Sequence, residues 1–346
     1  MNSNLRPLKS GCWTPVRLVS VIAAAVLLFH GCVVSGPRTV SPSSSDTNLT
    51  FVYLHGFGGI KKDPAFCDNL KTFIDETECD CEVRNYEWDS VDIAITRAGA
   101  NWLEAEKRAD AEAVRFKKTV INSFERQGTP YVLVGFSIGS RVILRAMEDS
   151  RGSLKFLRGI YFLGSAMTRD TSINPEYLPD GMKIINYHSP LRDKVHRMAF
   201  NFMEDKPAGG CVGFGDEKVF ENYAVSCTHA HKGVGVHIDY SQLAHAIGYI
   251  ALLKERIMIP GETSFNVVTP VGEGDVWWNK ILRMEYVVDG EKNTLEIEQH
   301  NINADYFRAV AVSPDGDRRR VARGSNIHAI LEELDVMPAS YWRNRE

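Results

Sequence analysis

The stretch Tyr131-Val132-Leu133-Val134-Gly135-Phe136-Ser137-Ile138-Gly139 decides how this chain is read. Its first four residues form a continuous apolar run, the pattern of a strand buried on both faces. Behind Gly139 the spacing of Val142, Ile143, Leu144 and Met147 becomes helical. Between them lies G-x-S-x-G, which by itself is a common coincidence. Set between a buried strand and a helix it has a mechanical meaning. The backbone turns so tightly that the central serine is strained and larger neighbours would collide. The helix start aims its unpaired N–H groups at that serine.

Working outward, Leu49 to Phe57 reads as a short apolar strand running into the glycine-rich turn Gly56 to Gly59. A helix is expected over 64–75, with Asp63 as N-cap and Pro64 at its first position. A strand is expected over 82–88. A long helix is expected from about Trp102 to Arg126, ended by Gly128 and Pro130. Further strands are expected at Ile160 to Leu163 and Lys183 to Tyr187, and a last helix from about Tyr240 to Ile257. Strands alternating with helices imply an α/β fold with a parallel sheet covered on both faces. Beyond Pro260 the pattern changes. Met284 to Val288 and Leu295 to Glu298 flank Asp289-Gly290, and Phe307 to Val312 and Arg319 to Ala322 flank Asp315-Gly316. Asp-Gly between alternating runs signals a hairpin. Residues 261–346 therefore read as a small β-rich module with a terminal helix, Ser325 to Leu334, behind an α/β domain at 49–257.

The N-terminus reads as a targeting segment. Arg6, Lys9 and Arg17 precede an apolar run from Leu18 to Phe29, too short for a membrane span and right for the core of an export signal. The Gly31-Cys32 that follows resembles a bacterial lipoprotein signal, although Phe29 and His30 depart from that pattern. The resemblance implies cleavage after residue 31 and a lipidated Cys32; the alternative is an ordinary cleaved signal. Residues 32–48, rich in Ser and Pro, then read as a flexible tether. This places the chain in the cell envelope, attached to the membrane through Cys32, or else periplasmic or secreted. Export permits disulfides. Cys211 with Cys227 is the expected pair, then Cys67 with Cys79 or Cys81; buried free thiols are the alternative.

Composition narrows the function classes. The 346 residues are 44% hydrophobic and 24% charged with a net charge of −4, an ordinary globular balance that offers no footprint for nucleic acid. The basic run Arg318 to Arg320 is read as a solvated turn. No nucleotide-binding glycine motif and no HExxH occurs, so neither a cofactor nor a metal is expected. The cluster Cys227, His229, His231 and His237 could ligate a metal, but its spacing matches no strong signature.

With these features in order, residues 49–257 resemble the α/β-hydrolase superfamily. That resemblance implies a mostly parallel sheet with helices on both faces and a Ser-Asp-His triad. Ser137 is the implied nucleophile. His55-Gly56-Phe57-Gly58-Gly59 matches the family's oxyanion turn, so the N–H groups of Phe57 and Ile138 are the implied oxyanion donors. Asp193, in the loop after the strand ending at Tyr187, is the implied acid, ahead of Asp180. His237, leading into the last helix, suits the base better than His196, His229, His231 or His245, with His231 the main rival. The expected chemistry is hydrolysis of a small-molecule or lipid ester, or another acyl bond, through an acyl-enzyme. The competing reading is a catalytically inactive, hydrolase-like binding protein of the cell envelope. Trp277-Trp278 is read as packing in the β module rather than as a sugar platform. A lid would fit between Thr168 and Asp180 or between Phe200 and Phe220.

Overall fold

In the computed structural model the described residues are 49–57, 65–90, 98–148, 150–189, 200, 204–225, 240–241, 243–255, 258–259, 269–270, 278–288, 291–300, 306–313, 316–325, 330 and 337–338. The expected signal and tether, Cys32 included, lie outside them, as do the N-cap at Asp63, Cys227 and nearly all of the expected terminal helix. Among the described residues no helix is long and apolar enough to cross a membrane.

The first sheet has six parallel strands: β1 (Leu49–Leu54), β2 (Cys81–Tyr86), β3 (Tyr131–Phe136), β4 (Leu157–Leu163), β5 (Ile184–His188) and β6 (Phe220–Ala224). Their spatial order is β2-β1-β3-β4-β5-β6. β1 and β3 are buried along their whole length. Alternation splits their side chains between two cores. Phe51, Tyr53, Val132 and Val134 face one side, Val52, Leu54, Tyr131 and Leu133 the other. Helices α1 (Ala65–Glu76) and α6 (Leu243–Lys254) pack together on the first side. On the second, α2 (Ala98–Phe116) packs against α4 (Gly139–Met147). This is the doubly covered parallel sheet that the alternating pattern implied.

The structure differs from expectation in several details. The long helix starts earlier, at Ala98. It widens into a π-helical turn at Lys117–Ile121 before α3 (Asn122–Gln127), which Gly128 caps with φ +70°. Strand β6 was not foreseen, because Phe-Glu-Asn-Tyr-Ala has no apolar run. Asn222 supplies the missing order, accepting from the Phe214 N–H at 2.8 Å and donating to its carbonyl at 2.9 Å. The segment after β4 and the one before β6 are laced together by backbone hydrogen bonds. Arg169 N–H donates to Pro207 O, Gly209 N–H to Met167 O and Gly210 N–H to Ser165 O. A four-residue helical turn, α5 (Gly209–Val212), completes this region.

The expected disulfide of Cys67 with Cys79 or Cys81 is absent. Cys79 and Cys81 are free thiols, and burial raises the pKa of both. The Cys67 thiol donates to Asn85 Oδ1.

The second sheet is antiparallel. It contains β8 (Thr269–Pro270), β9 (Trp278–Val288), β10 (Glu291–His300), β11 (Phe307–Val312) and β12 (Arg318–Gly324), in the order β8-β12-β11-β10-β9. The short strands β7 (Met258–Ile259) and β13 (Met337–Pro338) pair separately. The strands of both expected hairpins pair, β9 with β10 and β11 with β12, while Asp289, Gly290 and Asp315 lie outside the described residues. Arg318 opens β12 rather than lying in a solvated turn, because two buried carboxylates claim it: Glu296 at 2.5 Å and Glu298 at 2.5 Å. Arg308 pairs with Glu298 and lies 4.2 Å above the Trp278 ring, whose edge meets His300. One face of that indole is thus occupied. Trp277 is outside the described residues.

The opposite, apolar face of this sheet carries Leu295, Ile297, Phe307 and Ala309. It joins the core that holds Tyr187 and Tyr223 of the parallel sheet. Removing Ile297, which is fully buried, is therefore expected to destabilise both sheets together. Ile297→Ala should lower stability by about 2–5 kcal/mol, and urea denaturation followed by fluorescence and circular dichroism should show one shifted transition. A separate early transition would mean that the sheets unfold independently.

Candidate active site

The chain runs from β1 outward to β2, then returns to the other side of β1 to build β3, β4, β5 and β6. The strand order therefore reverses between β1 and β3. Ligands of open parallel sheets bind at such a point, beyond the carboxyl ends of the strands. His55 and Gly56 leave β1 there, and Ser137 leaves β3.

Ser137 has φ +53°, a left-handed conformation that costs an L-residue about 1–2 kcal/mol. Four hydrogen bonds hold it there. Its N–H donates to Leu163 O at 3.0 Å, and its carbonyl accepts from Ala166 N–H at 3.1 Å, Ser140 N–H at 3.2 Å and the Ser140 hydroxyl. That hydroxyl lies 2.7 Å from the Ser165 hydroxyl, which ties the turn to the end of β4. Sequence reading singled out neither serine. Ser-x-x-Ser is too common a pattern, and only the adjacency of β3 and β4 brings Ser165 into range.

Two glycines permit this packing. A Cβ at Gly139 would lie 2.5 Å from Leu54 O and 2.7 Å from His55 O, so helix α4 begins in direct contact with the end of β1. A Cβ at Gly56 would lie 2.8 Å from the Ser137 Cβ. The turn carrying Phe57 thus lies against the serine. Ile138, with φ −67° and ψ −19°, is the N-cap of α4. Among the described residues no backbone carbonyl accepts from the N–H of Phe57 or of Ile138. Both are the donors named from the sequence.

His55 is fully buried. Its Nδ1 lies 2.8 Å from Gly56 O, and its Nε2 accepts from the Trp88 backbone N–H at 3.3 Å. Trp88 also donates its indole N–H to His55 O at 3.1 Å and stacks on the imidazole at 5.7 Å. Desolvation lowers the His55 pKa, opposed by the Gly56 carbonyl and the charge of Glu87. Trp88 carries no sequence signal, because it reaches the site only through the pairing of β2 with β1.

Arg141 turns away from the serine. It grips Asp110 with two nitrogens, at 2.8 and 3.0 Å, and Glu106 at 2.6 Å, fastening α4 to α2. Beside the Gly56 turn an aromatic row runs from Phe57 to Trp102 (5.7 Å) to Phe200 (4.9 Å), and the Trp102 indole donates to Glu204. His245, weighed as a base, packs on Phe73 inside the helical layer at 5.4 Å. Asp193, His237 and the rivals His196, His229 and His231 lie outside the described residues. Among the described residues no group of three or more His, Cys, Asp or Glu side chains could hold a metal ion.

No protein-family model and no curated protein matches this chain. Solved structures give distant likenesses. The crystal structure of esterase PE8 is 16% identical, covers 63% of this chain and 99% of its own, and has a TM-score of 0.37. A dienelactone hydrolase-like promiscuous phosphotriesterase from metagenomic libraries is 12% identical over 64% of this chain and 87% of its own, with a TM-score of 0.36. LpqC, a poly(3-hydroxybutyrate) depolymerase from Bordetella parapertussis, is 10% identical over 60% and 79%, with a TM-score of 0.34. Likeness at this level decides neither activity nor substrate.

The local geometry makes its own prediction. Gly139→Ala drives a methyl group into two backbone carbonyls and should cost more than about 3 kcal/mol in urea denaturation. Gly215→Ala, whose nearest neighbour is 3.7 Å away, should stay within about 0.5 kcal/mol. Equal effects would refute this account of the turn.

Proposed function

We propose that this chain is a serine hydrolase that cleaves an ester or another acyl bond. The observation that carries the reading is Ser137: a non-glycine residue held left-handed between a buried strand and a helix, at the reversal of the strand order, with Gly56 against it.

The serine hydroxyl attacks the acyl carbonyl. The developing oxyanion takes the N–H of Ile138 and the N–H of Phe57. His237 accepts the serine proton and returns it to the leaving group, while Asp193 holds the imidazole tautomer. Water then releases the acyl group by the same relay. Two described residues support these assignments. Tyr240 lies three residues beyond His237, a span of at most about 11 Å. Its ring packs on Phe136 and would touch a Cβ at Gly164, both next to the Ser137 turn. Ser189, four residues before Asp193, follows the carboxyl end of β5, at the same edge of the sheet as Ser137. The half-buried Phe57 ring, backed by Trp102 and Phe200, favours an apolar acyl or alcohol group.

The N-terminal pattern extends the proposal to place. Export with a lipid on Cys32 and a tether of residues 32–48 would hold the enzyme at a membrane surface, where lipid esters are at hand.

A fluorophosphonate probe tests the chemistry. Purified protein lacking residues 1–31 should label, and Ser137→Ala and His237→Ala should abolish labelling. Asp193→Asn should slow it by roughly 10³–10⁴-fold, the scale of a lost tautomer anchor. Absence of labelling in folded wild-type protein would refute the catalytic reading and leave a hydrolase-like binding protein of the envelope.

A further inference from the structure

We infer that the His55 imidazole, gripped by Trp88, is a positioning residue that aims the Phe57 N–H at the oxyanion. The inference rests on the hydrolase reading of Ser137 and concerns how that site is held.

The Trp88 backbone N–H donates to Nε2, so Nε2 presents its lone pair. The single proton of a neutral imidazole is then on Nδ1, where it donates to Gly56 O at 2.8 Å. Burial favours that neutral ring. The tautomer is thus set by a residue at the end of β2, not by the surroundings of Ser137.

The Gly56 carbonyl and the Phe57 N–H belong to one peptide group. That group is planar and trans, so its C=O and N–H point in opposite directions. A hydrogen bond holding the carbonyl oxygen from behind therefore fixes the direction of the N–H in front. Gly56 cannot do this for itself, because glycine is the residue least restrained in φ and ψ. It also cannot be replaced by a stiffer residue, since a Cβ there would meet Ser137. The restraint has to come from outside the turn, and the His55 ring supplies it.

Trp88 secures the other side of the same glycine. Its indole N–H holds the His55 carbonyl at 3.1 Å, so both peptide groups flanking the Gly56 Cα are held by hydrogen bonds. The indole lies nearly parallel to the imidazole, at an interplanar angle of 14°. A donor aimed in advance does not need to reorganise as charge develops on the substrate, which is the origin of an oxyanion hole's catalytic effect.

The test uses the chain without residues 1–31 and p-nitrophenyl butyrate as probe. His55→Ala removes the donor to Gly56 O. It should lower kcat by roughly 10–100-fold, part of what a whole oxyanion donor contributes, with KM within about twofold. His55→Asn places an amide N–H near the position of Nδ1 and should recover kcat to within about fivefold of wild type. Phe73→Leu, between α1 and α6, controls for lost stability alone and should leave kcat unchanged. Nitrogen-15 NMR of wild-type protein should show the His55 proton on Nδ1, and this readout needs no activity.

Equal losses in the alanine and asparagine variants would overturn the inference. So would wild-type kcat in His55→Ala, or a proton on Nε2. If wild-type protein neither hydrolyses the ester nor labels with fluorophosphonate, the hydrolase reading itself fails. That failure is seen before any His55 variant is made.

Discussion

Ser137 sits in a backbone state that would relax if its surroundings allowed. What prevents relaxation is the contact between three strand ends. β4 supplies the carbonyl of Leu163, the segment after it supplies the N–H of Ala166, the turn after β1 presses Gly56 against the serine from the other side, and the carbonyls of Leu54 and His55 leave no room for a side chain at Gly139. The strain is thereby converted into position. The hydroxyl-bearing residue stays at the tip of the turn, and the helix that starts behind it presents the N–H of Ile138. The rest of the parallel sheet exists, mechanically, to keep β1, β3 and β4 in register.

The same logic extends away from the serine. Arg141 points from α4 to α2, where two carboxylates neutralise it, and so anchors the helix that begins at the Ser137 turn. On the other side His55 and Trp88 tie the Gly56 turn to the end of β2. The site is held from both flanks by groups that need not touch a substrate. Such bracing suits a reaction in which preorganised donors matter more than induced closure.

The second sheet joins the first through an apolar face and keeps its charges on the other. Glu296 and Glu298 are almost wholly buried there, which is costly for carboxylates unless they are paired. Lys280, Arg308 and Arg318 pair with them, and Arg308 is further covered by Trp278. The polar face is thus a closed network. Its sheet contributes to the stability of the parallel-sheet core through Ile281, Leu282, Leu295 and Ile297.

Local patterning was enough to determine much of this. A buried strand followed by Gly-Phe-Ser-Ile-Gly and a helix can fold in few ways, because the glycines and the hydrophobic spacing act within one turn of chain. The same holds for the His55-Gly56 turn, the alternation of strands and helices, and the two Asp-Gly hairpins. The tertiary structure decided what depends on pairing between distant segments. Strand β6 needed Asn222 to close on Phe214, and Arg318 became a strand residue because Glu296 and Glu298 were waiting across the sheet. The free thiols of Cys79 and Cys81 likewise reflect where the folded chain places them. Trp88 gained its role on His55 only when β2 was laid beside β1. Hydrogen bonds and ion pairs across 8 to 33 residues leave no period or motif in the sequence, since either partner alone is an ordinary residue in an ordinary place.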